Sequence, residues 1–344
     1  MGRVSLEQGA GGRETWDLVK RLIVSRVPEG LRRVGGGCGL DVLDDGAVIR
    51  FGDRFLVVAT DSFTVNPPVF PGGDIGHLAA CGAINDVVMM GARPVAVMDA
   101  VVVEEGVEEG FLQRIIDSFV SVLEGEGVAL IGGDFKVMPK GALDKVVITA
   151  TGLGVGEGDP VIDVVRPGDK IVVSGPVGEH GAAILAAQLG MAEDLPKIRS
   201  DSKPLTRSVL PVINALREHI HAARDPTRGG LAATLNEWVD GTNLTIVIRR
   251  AEVPVRDEVR EFLDAMGVDP LNLACEGVAV LAVSPEVAED VVRELRRAGE
   301  AHAAVVGEVV EAPTPLLSGR VVAVTEVGGK VLLEPSPVNL PRIC

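Results

Sequence analysis

Hydrophobic residues fall along this chain in short runs of strand length, separated by stretches with helical spacing. After a helical pattern from Arg13 to about Arg26, the run Arg54-Phe-Leu-Val-Val-Ala-Thr-Asp-Ser62 predicts a strand with Asp61 just past its end. From Asp74, a candidate N-cap, the positions Ala80, Cys81, Ile84, Val87 and Val88 follow a helical repeat that stops at Gly91. Small residues in that helix, Gly76, Ala79 and Ala83 among them, allow close packing on a sheet. Asn85 and Asp86 interrupt its apolar character, and a carboxylate buried there is costly unless paired or bound to a metal. Pro94 to Val103 predicts a buried strand, Val107 to Glu124 an amphipathic helix, and Val128-Ala-Leu-Ile131 a strand ending at Gly132-Gly-Asp134, with Lys136 two residues on. Lys145 to Gly152 closes a first α/β unit.

Glycines at 152, 154, 156 and 158 with Pro160 mark a boundary, which divides the chain into residues 1–155, 156–335 and a tail, 336–344. The second unit restarts with strand 170–174 and an alanine-rich helix entered through Gly178-Glu-His180, where His180 is a ligand, an acid/base group or a structural residue of the cap or turn. Segments 205–221 and 229–239 read as helices around Arg224-Asp-Pro-Thr-Arg-Gly-Gly230, a polar, glycine-ended loop suited to binding an anion. Strands at 244–248, 278–283, 303–310, 320–325 and 330–333, with helices at 255–266 and 285–298, complete an α+β pattern. Between them Ala274-Cys-Glu-Gly277 sets one carboxylate in apolar surroundings, and burial raises the pKa of such a group toward that of a general base. Prolines at 335, 337 and 341 forbid a helix in the tail and favour an extended arm that ends in Cys344.

Composition narrows the classes. Hydrophobic residues make up 47% and aromatics only 3%, with no tyrosine, so the core is aliphatic. A net charge of −16 argues against nucleic acid or an anionic membrane as partner, while a nucleotide remains open if metal ions bridge acids to phosphate. The four cysteines have no CxxC spacing, there is no basic region followed by an apolar run, and no apolar stretch reaches membrane length, which predicts a cytoplasmic protein with reduced thiols.

Asp44-Asp-Gly-Ala47, Thr60-Asp-Ser62, Asn85-Asp-Val-Val-Met-Met-Gly-Ala-Arg-Pro94, Gly132-Gly-Asp134 and Asp225-Pro-Thr-Arg-Gly-Gly230 together resemble the ATP-dependent superfamily of aminoimidazole ribonucleotide synthetase, selenophosphate synthetase and thiamine-monophosphate kinase. Within it, Gly132-Gly-Asp-Phe-Lys-Val137, Ala274-Cys-Glu-Gly277 and Pro341-Arg-Ile-Cys344 resemble the hydrogenase maturation proteins of the HypE family. The leader lacks the reactive cysteine and lysine usual in selenophosphate synthetases.

This resemblance implies an α/β and α+β two-domain fold: an N-terminal domain that gives a four-stranded sheet to a homodimer, a C-terminal α+β domain and a flexible tail. It implies ATP and Mg²⁺, with Asp45, Asp61, Asp86, Asp134 and Asp225 as metal ligands and Asp44 as an open alternative to Asp45. Asn85, Thr227 and Arg228 would bind nucleotide beside these acids, and Gly9, Gly11 and Gly12 would close over phosphate. It further implies that Cys344 receives a carbamoyl group from the carbamoyltransferase HypF, that ATP drives its dehydration to a thiocyanate, and that the HypC-HypD complex accepts the cyanide. Glu276 is then the candidate base, and Lys136 the group that orients the carbonyl oxygen. Two readings stay open: a small-molecule cyclase or kinase of the same superfamily, and a nucleotide-gated metallochaperone with Cys344 as a soft ligand.

Overall fold

The computed structural model describes residues 3–9, 13–335 and 342–344, which fold as two large sheets with one helix buried between them and a small two-stranded ribbon. The first half comprises α1 (Arg13–Leu22), β1 (Ala47–Phe51), β2 (Arg54–Phe63), the ribbon β3 (Val69–Phe70) and β4 (Gly73–Asp74), α2 (Ile75–Met89), β5 (Arg93–Glu104), α3 (Glu109–Glu126), β6 (Ala129–Met138) and β7 (Val146–Glu157). Its main sheet runs β1-β2-β7-β5-β6, five strands rather than four, with β5 and β6 parallel and the other pairs antiparallel.

Two acids expected past strand ends lie inside strands, because the hydrogen-bond ladders continue beyond them. Asp61 stands opposite Ala150 and Asp134 opposite Ala100. The Gly132-Gly133 pair does not end β6. It permits a close approach, since a Cβ on Gly133 would lie 1.8 Å from Asp99 Oδ1.

Asp74 caps α2 as expected, accepting from the His77 N–H at 2.9 Å. Every residue of α2 except His77 is buried, so this helix packs on all sides. Its close seat on the sheet depends on Gly152, where a Cβ would meet Ala83 O at 2.1 Å.

The second half comprises β8 (Lys170–Val173), α4 (Glu179–Gln188), α5 (Val209–Ala215), β9 (Ile220–Arg224), α6 (Gly230–Val239), β10 (Leu244–Arg249), α7 (Asp257–Met266), β11 (Val280–Val283), α8 (Ala288–Arg297), β12 (Ala304–Glu311), β13 (Arg320–Val324) and β14 (Lys330–Leu332). They form a seven-stranded sheet, β14-β13-β10-β12-β8-β11-β9. The helix expected over 205–221 is confined to α5, because residues 220–224 pair with β11 as an edge strand. That pairing sets Asp225 directly at a strand end.

One hydrophobic cluster joins the halves, with Phe63, Ile84 and Ile148 from the first and Ile184, Leu205 and Leu281 from the second. The opposite face of the first sheet is open, and all of β6 is exposed, including Ile131, Phe135 and Val137. Among the described residues no helix is long and apolar enough to cross a membrane.

Candidate functional site

A cavity of about 300 Å³ opens where the halves meet, and its floor is acidic: Asp45, Asp61, Asp86 and Asp225 line it with Thr227 and Arg228. Each acid comes from a different element. Asp45 precedes β1, Asp61 lies in β2, Asp86 in α2, and Asp225 follows β9. The adjacent Asp44 and Asp45 are distinguished by their partners. Asp44 accepts from the backbone N–H groups of Asp45 at 2.9 Å and Asp163 at 3.0 Å, whereas Asp45 Oδ2 is buried with no hydrogen-bond partner.

The cluster is electrostatically loaded. Burial and neighbouring carboxylates push Asp225 up to about 7 and hold Asp45 and Asp86 well above the usual carboxylate range. Asp61 is raised by burial, against the pull of Arg228, whose Nη2 lies 3.5 Å from it. Asp225 Oδ2, like Asp45 Oδ2, is buried without a partner. Orphaned, mutually repelling carboxylate oxygens suit a hard cation. Among the described residues no three acidic, histidine or cysteine side chains already stand as a ligand set, so a cation here needs further oxygens, such as those of phosphate.

Glu276 sits beside this floor with both carboxylate oxygens buried and unpartnered. Burial first, then Asp225 and Asp201, hold its pKa well above the usual range. Its backbone is strapped on both sides: Asn85 Nδ2 donates to Glu276 O at 3.3 Å, and the Glu276 N–H donates to the Asp201 carboxylate at 3.2 Å. Residues 342–344 lie along residues 64–66, with Thr64 N–H donating to Cys344 O and Asn66 N–H to Arg342 O, each at 3.0 Å. This brings the Cys344 thiol within electrostatic reach of Arg228, Glu276, Asp61 and Asp225, and burial pushes it up to about 12. Arg228 is raised in turn by Cys344, Asp61, Asp86 and Glu276 around it.

Several expected site residues lie elsewhere. Asn85 does not face the cavity. Its fully buried amide bonds to Lys203 O, Glu276 O and Leu205 N–H, because an amide inside a packed helix must satisfy both its donor and its acceptor. Asp134 and Lys136 are exposed on β6 and pair with each other at 2.7 Å, outside the acidic cluster of this chain. Gly9, exposed at the end of a 3-10 turn, is not among the cavity residues, while Gly11 and Gly12, like tail residues 336–341, lie outside the described residues. His180 is not a cap. Its ring bonds to Ser200 and Ile343.

Other members of the site were missed in the sequence. Arg224 bridges Asp163 and Glu237, each at 2.7 Å, and lies 3.5 Å from Asp45. Trp16 on α1 donates to Glu237 and walls the cavity. The apolar strand ending in Arg224-Asp225 was the available signal for the arginine, since a charge that closes a buried run needs partners.

Two family models match the chain: AIR synthase related protein, N-terminal domain, over residues 43–156, and AIR synthase related protein, C-terminal domain, over residues 166–317. The chain is 37% identical to the carbamoyl dehydratase HypE of Rhizobium leguminosarum bv. viciae, across 100% of this chain and 95% of the relative. A solved HypE-HypF complex contains a chain 33% identical, with TM-score 0.82, covering 94% of this chain and 99% of that one. A crystal structure of a hydrogenase maturation protein HypE in complex with ATP is 38% identical, with TM-score 0.79, covering 99% of this chain and 100% of that one.

Proposed function

Since the chain belongs to the AIR synthase related family and, within it, to the HypE carbamoyl dehydratases, we propose that it is an ATP-dependent dehydratase acting on a carbamoyl group carried by the Cys344 thiol. The observation that carries this reading is that residues 342–344 are hydrogen-bonded along residues 64–66, which puts the thiol within electrostatic reach of Glu276 and of Arg228, Asp61 and Asp225, three residues that line the acidic cavity.

An amide oxygen is a poor leaving group as hydroxide. Attack of the thiocarbamate oxygen on the γ-phosphorus of ATP, with departure of ADP and loss of one N–H proton, makes it a phosphate ester. Loss of the second N–H proton then breaks the carbon–oxygen bond, releases inorganic phosphate and leaves the thiocyanate. Asp45, Asp61, Asp86 and Asp225 would hold Mg²⁺, which when bound neutralises the β- and γ-phosphates against the acidic floor. Arg228, beside Asp61, faces the charge that develops on the transferring phosphoryl group. Glu276 takes the nitrogen protons. Its proton affinity, raised by burial and by the carboxylates of Asp225 and Asp201, suits a base, and the straps from Asn85 and Asp201 hold it in place.

Asp134 and Lys136 enter this scheme through a homodimer. The exposed strand β6, with Ile131, Phe135 and Val137 uncovered, supports pairing with a second copy, which would carry both side chains toward a partner's site. HypF as carbamoyl donor is supported by the HypE-HypF complex of a relative, and ATP by the ATP-bound relative. A HypC-HypD complex would take the cyanide, in the cytoplasm, where thiols stay reduced.

Mass spectrometry of the C-terminal peptide tests the proposal. Carbamoylated protein given Mg²⁺ and ATP should lose one water on that peptide, Cys344→Ala should show neither adduct, and Glu276→Gln should keep the adduct without losing water. Retention of the full carbamoyl mass in the wild type would sink the reading.

A further inference from the structure

We propose that His180, held in one tautomer by Ser200, is the positioning residue that docks the thiol-bearing end of the chain in the site. The proposal rests on reading Cys344 as the carrier of the reacting group, and it assigns a role to a histidine that the dehydration chemistry leaves unused.

The hydrogen-bond roles at His180 admit one arrangement. The Ile343 carbonyl, 2.8 Å from Nε2, can only accept, so Nε2 carries the hydrogen. Nδ1 then carries none and must accept, and the Ser200 hydroxyl at 2.7 Å donates to it. The Ser200 oxygen in turn accepts from Ser202 N–H at 3.1 Å. Ser200 is itself fixed, because its N–H donates to Pro71 O at 2.8 Å and its backbone packs against Gly72. The ring is fully buried and meets Phe70 edge-on, with centroids 5.4 Å apart.

Both ring nitrogens are occupied, so the imidazole has no free position for proton transfer with a substrate. Burial also pushes its pKa down to about 4, although the Ile343 contact pulls the other way, so the ring stays neutral and the latch is not set by pH. The carbonyl it holds belongs to the residue just before Cys344, and so directs the backbone that aims the thiol. The other tail contacts leave this carbonyl untouched: Arg342 bonds to Thr64 O and Asp144, and Thr64 N–H and Oγ1 bond to Cys344 O. Ile343 meanwhile packs against two hydrophobic clusters, one from each side of α4.

The test reads docking directly, through the reactivity of Cys344 with iodoacetamide in the full-length protein, scored on the C-terminal peptide. Buried Cys38, Cys81 and Cys275 are internal references. His180→Leu removes the donor and should speed alkylation of Cys344 about ten-fold, as expected for stranding a buried carbonyl. Ser200→Ala, which frees the tautomer, should speed it about three-fold. His180→Gln, which can still donate an amide N–H, should stay within about three-fold of wild type. In the dehydration assay His180→Leu should slow water loss while leaving ATP affinity unchanged.

Equal alkylation in wild type, His180→Leu and Ser200→Ala overturns the latch, as does a glutamine variant as reactive as the leucine one. Should His180→Leu fail to fold, Ser200→Ala and His180→Gln decide the question. If the wild type shows no water loss, the functional reading falls, and the alkylation comparison still decides the latch.

Discussion

Replacing Arg224 by methionine measures how far one guanidinium holds the acidic side of the cleft together. Its Nε and Nη1 reach Asp163 and Glu237, each at 2.7 Å, its Nη2 donates to Leu43 O at 2.9 Å, and Asp45 lies 3.5 Å away. The side chain is only 12% exposed, so water cannot replace these partners. Breaking a buried ion pair from one side leaves uncompensated charge and costs about 3–5 kcal/mol. Arg224→Lys keeps a point charge near Asp163 but loses the fork, and should cost roughly 1–3 kcal/mol.

The chain supplies its own probe. It has two tryptophans, and both report on this cluster: Trp238 Nε1 donates to Asp163 at 2.7 Å, and Trp16 Nε1 donates to Glu237. Urea unfolding followed by tryptophan fluorescence at pH 8 should rank wild type above lysine above methionine. Burial holds the Glu237 and Asp45 carboxyls above the usual carboxylate range, and their protonation removes uncompensated charge, so the methionine deficit should shrink as pH falls toward 5. A methionine variant within about 1 kcal/mol of wild type at pH 8, or an equal deficit at both pH values, would refute the argument.

Three further outcomes follow from the geometry. Burial pushes Asp201 up to about 6, above its unfolded value of 3.8, so its contribution to stability is full below about pH 4 and is lost as pH rises through 6. Urea unfolding should therefore show the wild type losing about 2 kcal/mol more than Asp201→Asn between pH 4 and 7, and parallel pH profiles would contradict this. The proposed pairing through β6 predicts that the wild type sediments as a dimer and that Phe135→Glu, which places a charge on the exposed face of β6, sediments as a monomer without loss of fold, whereas a monomeric wild type or a variant that still sediments as a dimer would exclude β6 from such a contact. Gly152→Ala sets a Cβ 2.1 Å from Ala83 O, and thermal unfolding should show it destabilised by about 1–3 kcal/mol or more, although glycine is ordinarily the weaker strand residue.

Much of the fold was legible because burial and hydrogen bonding leave local signatures. The cap at Asp74 and the apolar run of α2 both formed as expected, and Asp86 stood out because an acid amid apolar neighbours needs a reason. Asn85 carries the same signature for a different reason: its amide ties two loops, and sequence alone does not distinguish a strap from a ligand. The glycine pair before Asp134 looked like a strand end, since its close approach to Asp99 depends on pairing with β5. His180 and Ile343 are 163 positions apart, and local pattern carries no trace of such a contact.

The burial of α2 on all sides has a mechanical consequence. Two halves that flank a cleft ordinarily rock about a hinge, opening to admit a ligand and closing over it. Here the helix that forms the back of the cleft is also the centre of a hydrophobic cluster shared by both halves, so such rocking would tear packed side chains apart. The jaws are in effect welded. Traffic into and out of the cavity is then left to the peripheral piece that walls it, α1 with Thr15, Trp16 and Val19.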